Sequence, residues 1–554
     1  MDTIAKSFSS ISEKVVLAWR EGAMDYKGQL TVFYGMIALF VVLLTVFSIS
    51  SGVRKEKKLL PPGPRPLPIV GNLLSLGGRA HQALAQLAKQ YGSIMTLYFG
   101  SVRVVIVSDA GMAKELFSVS DASFASRPIH DLMYTTAKYL NYGGKDGEVS
   151  GFTCTYSPRV REVRQLCISE LFTTQKLEMS KSIRMEEVLR IMAAFKITGA
   201  ENEAIDLRPI LCEFGCRNSC RMLFNKAFLD LELHPKSEVG LHPEAFIKWE
   251  EVMTKLLASK SLADIIPLFR LLDKLDLQGL HARWNYVNTL RLRWTHYVFS
   301  WYQKHAPSEN AEDPVEESDK DFAETLLRLN KSGKHTEIAI NSFLSGLLAA
   351  GADTTATTLE WALLELARHP HIMEKLQVEI DAKFGMVRPV EEDEAAQLPY
   401  LQAFVKEILR LHPPAVLAIP HCNTEDAMLG GYHIPARTAV IANLWAIHRD
   451  PSAWGEDASV FNPDRFFGSD INVNGTNYQF LPFGAGRRIC PGRSLAMRAL
   501  YVAVGSFIHA FEWSALPGIE LNVNEGINGI NIRPETPTLL RISLRPPATL
   551  YLSA

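Results

Sequence analysis

The 554-residue sequence has almost no net charge: 58 basic side chains stand against 60 acidic ones, leaving −2 at pH 7. No basic excess is available for a nucleic-acid partner, so bulk electrostatics exclude that class of function. The chain also lacks a paired-cysteine pattern. Its seven cysteines, Cys154, Cys167, Cys212, Cys216, Cys220, Cys422 and Cys490, are odd in number, and none forms a C-x-x-C spacing. That argues against a disulfide framework and for a reducing compartment. There is no G-x-G-x-x-G and no Walker lysine, which removes the common nucleotide-binding loops. Internal repeats and long linkers are missing too. Length alone would suggest several domains, but without a divider one large body is expected.

What is present is an ordinary globular composition, 47% hydrophobic and 21% charged, with enough apolar residues for an extensive core. Cys212, Cys216 and Cys220 recur every fourth residue on one helical face. Small buried hydrophobes are expected there rather than a metal cluster.

Residues 30–50 form a charge-free apolar run long enough to span a bilayer. Four basic and four acidic side chains precede it in residues 1–29, while Arg54, Lys55, Lys57 and Lys58 follow it with only Glu56 opposing. The positive-inside rule places the following side in the cytosol. A cleaved signal peptide would have a shorter apolar core nearer Met1, so an uncleaved single-pass anchor is expected. The repeated prolines from Pro61 to Pro68 fix φ and remove N–H donors, giving a stiff connector. The expected organisation is a lumenal segment at 1–29, a transmembrane anchor at 30–50, a basic and proline-rich hinge at 51–72, and a globular domain at 73–554.

Along that domain, His81 to Tyr91 has helical period, and residues 93–99 and 102–107 read as strands. Residues 160–305 are mostly helical in period, and 306–321 form a polar, acidic loop. Long helices are expected over Ile338–Ala367, Leu401–Leu411 and about Pro491–Phe511, with short strands and turns in 415–480 and 518–554. The fold class is therefore mainly α with a smaller β part.

The most informative stretch runs from Phe483 to Gly492 and contains Gly484, Gly486, Arg487, Arg488, Ile489, Cys490 and Pro491. Two glycines permit a tight, bulged loop. Its N–H groups and the positive end of the following helix would lower the Cys490 thiol pKa and favour the thiolate. A thiolate axial ligand pushes electron density onto haem iron and favours O–O cleavage. The flanking arginines suit a propionate. A buried cysteine in a glycine turn stays open on these residues alone. A phosphate-binding loop lacks its third glycine and its lysine.

At this loop the chain resembles the cytochrome P450 family, whose signature F-x-x-G-x-R-x-C-x-G is matched by Phe483, Gly486, Arg488, Cys490 and Gly492. Glu407 and Arg410 share a helix face at i and i+3 and look like the family's E-x-x-R motif. Arg465, in Phe461-Asn462-Pro463-Asp464-Arg465-Phe466, looks like its later P-E-R-F turn, with Asp464 in the acidic position. The resemblance implies a buried structural charge network behind the haem. Ala350-Gly351-Ala352-Asp353-Thr354 is similar to A-G-x-[DE]-T. It lies inside a helix where glycine and hydroxyl residues are poor choices, and a small residue beside a hydroxyl would leave a notch for oxygen and water. In the family, Asp353 and Thr354 would be the acid–alcohol pair that handles protons. Arg164 occupies the arginine of a W-x-x-x-R pattern whose tryptophan is Val160 here, and His421 matches a position that often meets a propionate.

The resemblance implies a cytochrome P450-like haem domain behind a single transmembrane helix. It also implies haem b (iron protoporphyrin IX), monooxygenation with O2, and NADPH supplied indirectly through NADPH-cytochrome P450 reductase. The expected location is the endoplasmic reticulum membrane with the catalytic domain facing the cytosol. Phe124-Ala125-Ser126-Arg127-Pro128 and residues 398–407 resemble the large plant microsomal group and secondary metabolism. Pocket walls are expected from residues 129–150, Ala415–Ile419, the stretch before Ala350, and Gly529–Ile532. The apolar run Ala415–Ile419 implies a hydrophobic small-molecule substrate, with an aromatic phenylpropanoid-type compound ahead of a fatty acid or a terpenoid. A haem-thiolate isomerase or dehydratase would not need Asp353 and Thr354. Neither would a non-catalytic haem-binding membrane protein.

Overall fold

The computed structural model describes residues 60–140, 154–201, 204–224, 278–305, 337–528 and 531–551, with scattered positions in 249–276 and 322–326. The expected anchor at 30–50 and the loop at 306–321 lie outside these residues. Among the described residues, no helix is long and apolar enough to cross a membrane.

In chain order the main elements begin with α1 (Ala80–Tyr91), β1 (Ile94–Phe99) and β2 (Val102–Val107). Then come α2 (Pro158–Leu171), α3 (Lys181–Glu201), β3 (Ile205–Asp206), α4 (Leu207–Leu223), α5 (Leu280–His305) and α6 (Glu337–Arg368). They are followed by α7 (Pro370–Phe384), α8 (Pro399–Leu411), β4 (His421–Cys422), β5 (Ala439–Ala442) and α9 (Arg493–Ala510). The tail supplies β6 (Phe511–Ser514), β7 (Glu525–Asn528), β8 (Asn531–Pro534) and β9 (Leu539–Leu544). The fold is mainly helical with a smaller sheet part.

Local signals account for several boundaries. Pro158 and Pro399 stand in the first turns of α2 and α8, where a missing N–H costs no helical bond. The Ser157 hydroxyl caps α2 by accepting from the Val160 N–H at 3.3 Å. Asp206 caps α4 through the Arg208 N–H at 3.0 Å. One expected boundary is corrected: α9 starts at Arg493 with Gly492 as its N-cap, so Pro491 belongs to the turn before it.

The main core lies where α3, α6, α7, α8 and α9 meet, around Phe195, Trp361, Phe404 and Phe507. Two glycines draw α4 against α6. A Cβ on Gly215 would stand 2.2 Å from the Ala352 carbonyl oxygen, and one on Gly351 would stand 2.5 Å from Ser219 Oγ. Cys216 and Cys220 are buried in an apolar cluster between α2, α4 and α6. All seven cysteines are free thiols.

The larger sheet has the order β1-β2-β5-β4. Strand β5 lies parallel to β2 with Val104 opposite Ala439, and β4 lies antiparallel to β5. Strand β9 pairs with β3 and β6, while β7 and β8 form a separate hairpin-like pair with Arg533 opposite Gly526. The parallel β2–β5 pairing carries the 415–442 segment back across the N-terminal sheet. That return sets β4 beside residues 124–127, through bridges from Cys422 to Ala125 and Ser126.

Candidate active site

The loop before α9 is built by glycine. Gly486 has φ +65°, and a Cβ there would meet the Phe117 carbonyl oxygen at 2.5 Å and Asp121 Oδ1 at 2.6 Å. Both its backbone angle and its surroundings therefore demand glycine. The turn is closed by Gly484 N–H to the Leu481 carbonyl at 3.0 Å, and by Cys490 N–H to the Phe483 carbonyl at 2.9 Å. Gly492 is less constrained, since a Cβ there would lie 4.0 Å from Cys490 Sγ, an ordinary contact. Phe483 packs half-buried against the main core.

Cys490 is partly open to solvent. Burial by the surrounding atoms pushes its thiol above the ordinary value; the N–H groups of Gly492 and Arg493 and the charges of Arg164 and Arg493 oppose this and are outweighed. The expectation that loop and helix end alone would favour a thiolate is thereby corrected: desolvation disfavours the charged form. A bound metal cation would deprotonate the thiol outright.

Four cationic or basic side chains converge beside this loop. Arg488 donates from Nε to the Ala125 carbonyl at 2.8 Å and from Nη2 to the Cys154 carbonyl at 2.7 Å. Arg164, one turn along α2 from buried Val160, donates to the Ile489 carbonyl. His421 Nδ1 donates to the Phe124 carbonyl at 2.9 Å. Arg127 donates from Nη1 to the carbonyls of Ile419 and Pro420 at 2.8 and 2.9 Å. Burial first, then the charges of Arg488 and Arg164, lowers the Arg127 pKa well below its ordinary value. Burial and then Arg127 do the same to His421. Mutual repulsion among buried bases is relieved by an anion, so the group fits a ligand with carboxylates set beside a thiol. A haem with its two propionates has that character. Sequence reasoning singled out Arg164, Arg488 and His421 but missed Arg127. Its signal lay in the Phe124–Pro128 phrase, which carries no periodicity of its own.

Behind the loop, Glu407 and Arg410 are fully buried and form two bonds of 2.7 Å. Burial raises the Glu407 carboxyl despite the opposing pull of Arg410 and the Asn462 N–H. Arg465 stands farther off, its Nε 3.7 Å from Glu407, and its direct partners are Asp457 and the carbonyls of Trp454 and Asp457. Asp464 lies on the surface, 3.3 Å from Lys375, outside this group. A residue that sequence reasoning missed links the group to the cysteine loop. His448 Nε2 accepts from the Leu481 N–H at 2.9 Å, and its Nδ1 donates to the Arg410 carbonyl at 3.1 Å.

On α6, Ala350 and Thr354 share an open face, and the Thr354 hydroxyl donates to the Ala350 carbonyl at 2.7 Å. Gly351 is the packing point against Ser219. The open spot beside the hydroxyl belongs to Ala350. Asp353 is turned elsewhere. It is buried, with Arg533 and Asn531 of β8 on its two carboxylate oxygens.

These features coincide with a family match. The cytochrome P450 profile covers residues 61–540. The chain belongs to the cytochrome P450 family. A flavonoid 3'-monooxygenase of Petunia hybrida is 33% identical over 94% of this chain and 99% of that protein. A geraniol 8-hydroxylase of Swertia mussotii is 31% identical over 87% of this chain and 92% of that protein. The solved structure of a zebra fish cytochrome P450 with progesterone superposes with a TM-score of 0.67 at 27% identity, covering 84% of this chain and 99% of that one. The P450 described here is thus a monooxygenase whose family uses haem, O2, a redox partner and small-molecule substrates.

Proposed function

We propose that this P450 hydroxylates a hydrophobic aromatic small molecule of the phenylpropanoid-derived class. The observation that carries the chemistry is the cluster of four bases at the Cys490 loop: Arg488 belongs to the loop, Arg164 bonds the Ile489 carbonyl, and His421 and Arg127 stand at the 124–127 segment that Arg488 also bonds, with Arg127 feeling the charges of Arg488 and Arg164. In this reading Cys490 would hold the iron of haem b, and those four side chains would hold its propionates. Phe483, Gly486 and Gly492 shape the loop. When bound, a haem with thiolate ligation supplies oxygen activation.

The chain's own residues do the rest. Thr354 presents a hydroxyl on the open face of α6, and Asp353 is its acid partner for proton transfer, ordinary general-acid work through water. Glu407, Arg410 and Arg465 hold the segment behind the loop. Electrons come from a separate NADPH-cytochrome P450 reductase. The chain sits in the endoplasmic reticulum membrane by the apolar run at 30–50, with its catalytic domain in the cytosol.

The aromatic class is supported by the flavonoid 3'-monooxygenases, which align over 93 and 94% of this chain. The geraniol 8-hydroxylase makes a terpenoid alcohol the competing class. Of the expected wall residues, Val416 is buried and Ile419 is 39% exposed. A spectral-shift titration of the purified haemoprotein with a flavonoid, a monoterpene alcohol and a fatty acid decides. Saturable displacement of the resting spectrum by the flavonoid, followed by reductase-dependent hydroxylation, is the expected result. Saturation and turnover with the terpenoid or fatty acid alone would overturn the aromatic assignment.

A further inference from the structure

Glu525 is the first residue of β7 and is buried, at 8% exposure. Its two carboxylate oxygens face two different parts of the fold. Oε2 accepts from His81 Nε2 at 2.8 Å and from Gln82 Nε2 at 2.7 Å, both on α1. Oε1 accepts from the Trp445 indole N–H at 2.8 Å and from Arg449 Nη2 at 3.3 Å. Burial would raise this carboxyl, but the His81 bond and the Arg449 charge outweigh it and hold it down at about 2. Glu525 is therefore a charged carboxylate with a donor from each of four side chains, which fixes its orientation.

The two donors on Oε1 also hold the stretch that follows α8. The Trp445 N–H donates to the Val416 carbonyl at 3.0 Å, and Arg449 Nη2 donates to the Leu411 carbonyl. The strand pair that Glu525 begins reaches the same stretch by another route. Glu525 stands opposite Pro534 and Ile527 opposite Ile532, and the Ile532 N–H donates to the Pro414 carbonyl at 2.9 Å. A closed ring results: Glu525 to Trp445, Trp445 to Val416, back to Pro414, across to Ile532, and along the β7–β8 pair to Glu525.

This ring carries two stretches that border the candidate site. Residues 415–419 are all apolar, and Ala415, Leu417, Ala418 and Ile419 are at least partly open. They lead to the carbonyls of Ile419 and Pro420, which Arg127 bonds beside the cysteine loop. On β8, Asn531 and Arg533 meet Asp353 on α6, the residue before Thr354. Together the two stretches join the cluster of bases to the Thr354 turn of α6.

We propose that Glu525 is a positioning residue for substrate selection. By holding Trp445 and the β7–β8 pair on one carboxylate, it sets the spacing between residues 415–419 and Asn531–Ile532, and with it the bulk of the molecule admitted beside the haem. This rests on the reading of the Cys490 loop as the haem site, and is independent of the aromatic class.

The experiment uses the full-length haemoprotein and two probes that bind haem iron through a ring nitrogen, imidazole and 4-phenylimidazole, each titrated by its spectral shift. Imidazole needs the iron alone, whereas the phenyl ring of the second probe also needs the walls. Glu525→Gln keeps the length of the side chain and removes its charge. It is expected to change the ratio of the two dissociation constants at least about fivefold, with imidazole affinity, haem content and the carbon monoxide spectrum left as in the parent. Trp445→Phe strands no charge. It moves the ratio in the same direction to a smaller extent, and carries the test should E525Q not fold. E525Q/W445F moves the ratio no further than E525Q does, because both cut the same link.

A ratio equal to the parent's in E525Q and W445F would leave Glu525 a structural anchor only and overturn the proposal. So would fully additive shifts in the double variant. Neither outcome depends on whether a flavonoid binds, so failure of the aromatic assignment is read separately. A parent that shifts with neither probe would overturn the haem-site reading and this inference together.

Discussion

Arg410 and His448 hold each other twice. Arg410 Nη1 donates to the His448 carbonyl at 2.7 Å, and His448 Nδ1 donates to the Arg410 carbonyl at 3.1 Å. Arg410 also carries the two bonds to Glu407, and His448 Nε2 accepts from the Leu481 N–H two residues before Phe483. A continuous polar path therefore runs from the buried ion pair on α8 to the start of the cysteine loop. It explains how a charge pair that touches no reacting group can still set where Cys490 stands.

The ion pair is fully buried, so replacing one partner strands the other charge. Glu407→Gln is expected to destabilise the fold by roughly 3–5 kcal/mol and to lower the fraction of protein that retains haem. Denaturant unfolding monitored by circular dichroism, alongside haem absorbance, checks this. Unchanged stability with full haem content would show that Arg410 finds adequate carbonyl partners without Glu407.

Burial, and next the charge of Arg410, lowers the His448 pKa to about 3. The imidazole is thus neutral in the folded chain, with Nδ1 as donor and Nε2 as acceptor. An unfolded histidine titrates near 6.5. Between roughly pH 6.5 and 3 the unfolded chain binds a proton that the folded chain refuses, so stability falls as pH falls through that window. His448→Gln removes this contribution. Its unfolding free energy should lose less on acidification from about pH 7 to 4 than the parent's does, although it starts lower. Parallel acid limbs in the two proteins would show that His448 is not buried neutral.

Gly486 combines a positive φ of 65° with backbone and carboxylate oxygens where a side chain would sit. Gly486→Ala is expected to cost more than about 1 kcal/mol and to weaken haem retention beyond that loss, because Phe117 and Asp121 must shift. Gly484 has φ 69° but nothing within 4 Å of a Cβ, so Gly484→Ala should carry the backbone cost alone. Equal effects of the two on haem retention would remove the steric part of the explanation.

The sequence showed the chemistry of single segments well. The helix expected over Ile338–Ala367 runs Glu337–Arg368, and the strand expected over 102–107 is found there, because local periodicity decides both. The cysteine loop was legible because its residues are consecutive. Arg127, His448, Asn531 and Arg533 were not. Each becomes a neighbour of the site only after distant segments pair: residues 124–127 beside β4, the last turn of α8 beside His448, and β8 against α6. The packing role of Gly351 was not legible for the same reason. Its meaning lies in Ser219 on α4, which no pattern within α6 reveals. The thiol pKa was misread because local N–H groups are visible in sequence, whereas desolvation by the whole fold is not.

The central claim is that Cys490 binds iron as a thiolate. The spectrum of the dithionite-reduced haemoprotein under carbon monoxide tests it most directly, because the side chain that would hold the iron would set the position of the Soret band. The account predicts the strongly red-shifted band of a thiolate-ligated ferrous carbonyl in the freshly purified parent, and its loss in Cys490→Ser. A parent band at the unshifted position of imidazole-ligated haem, or a red-shifted band that survives in Cys490→Ser, would contradict it.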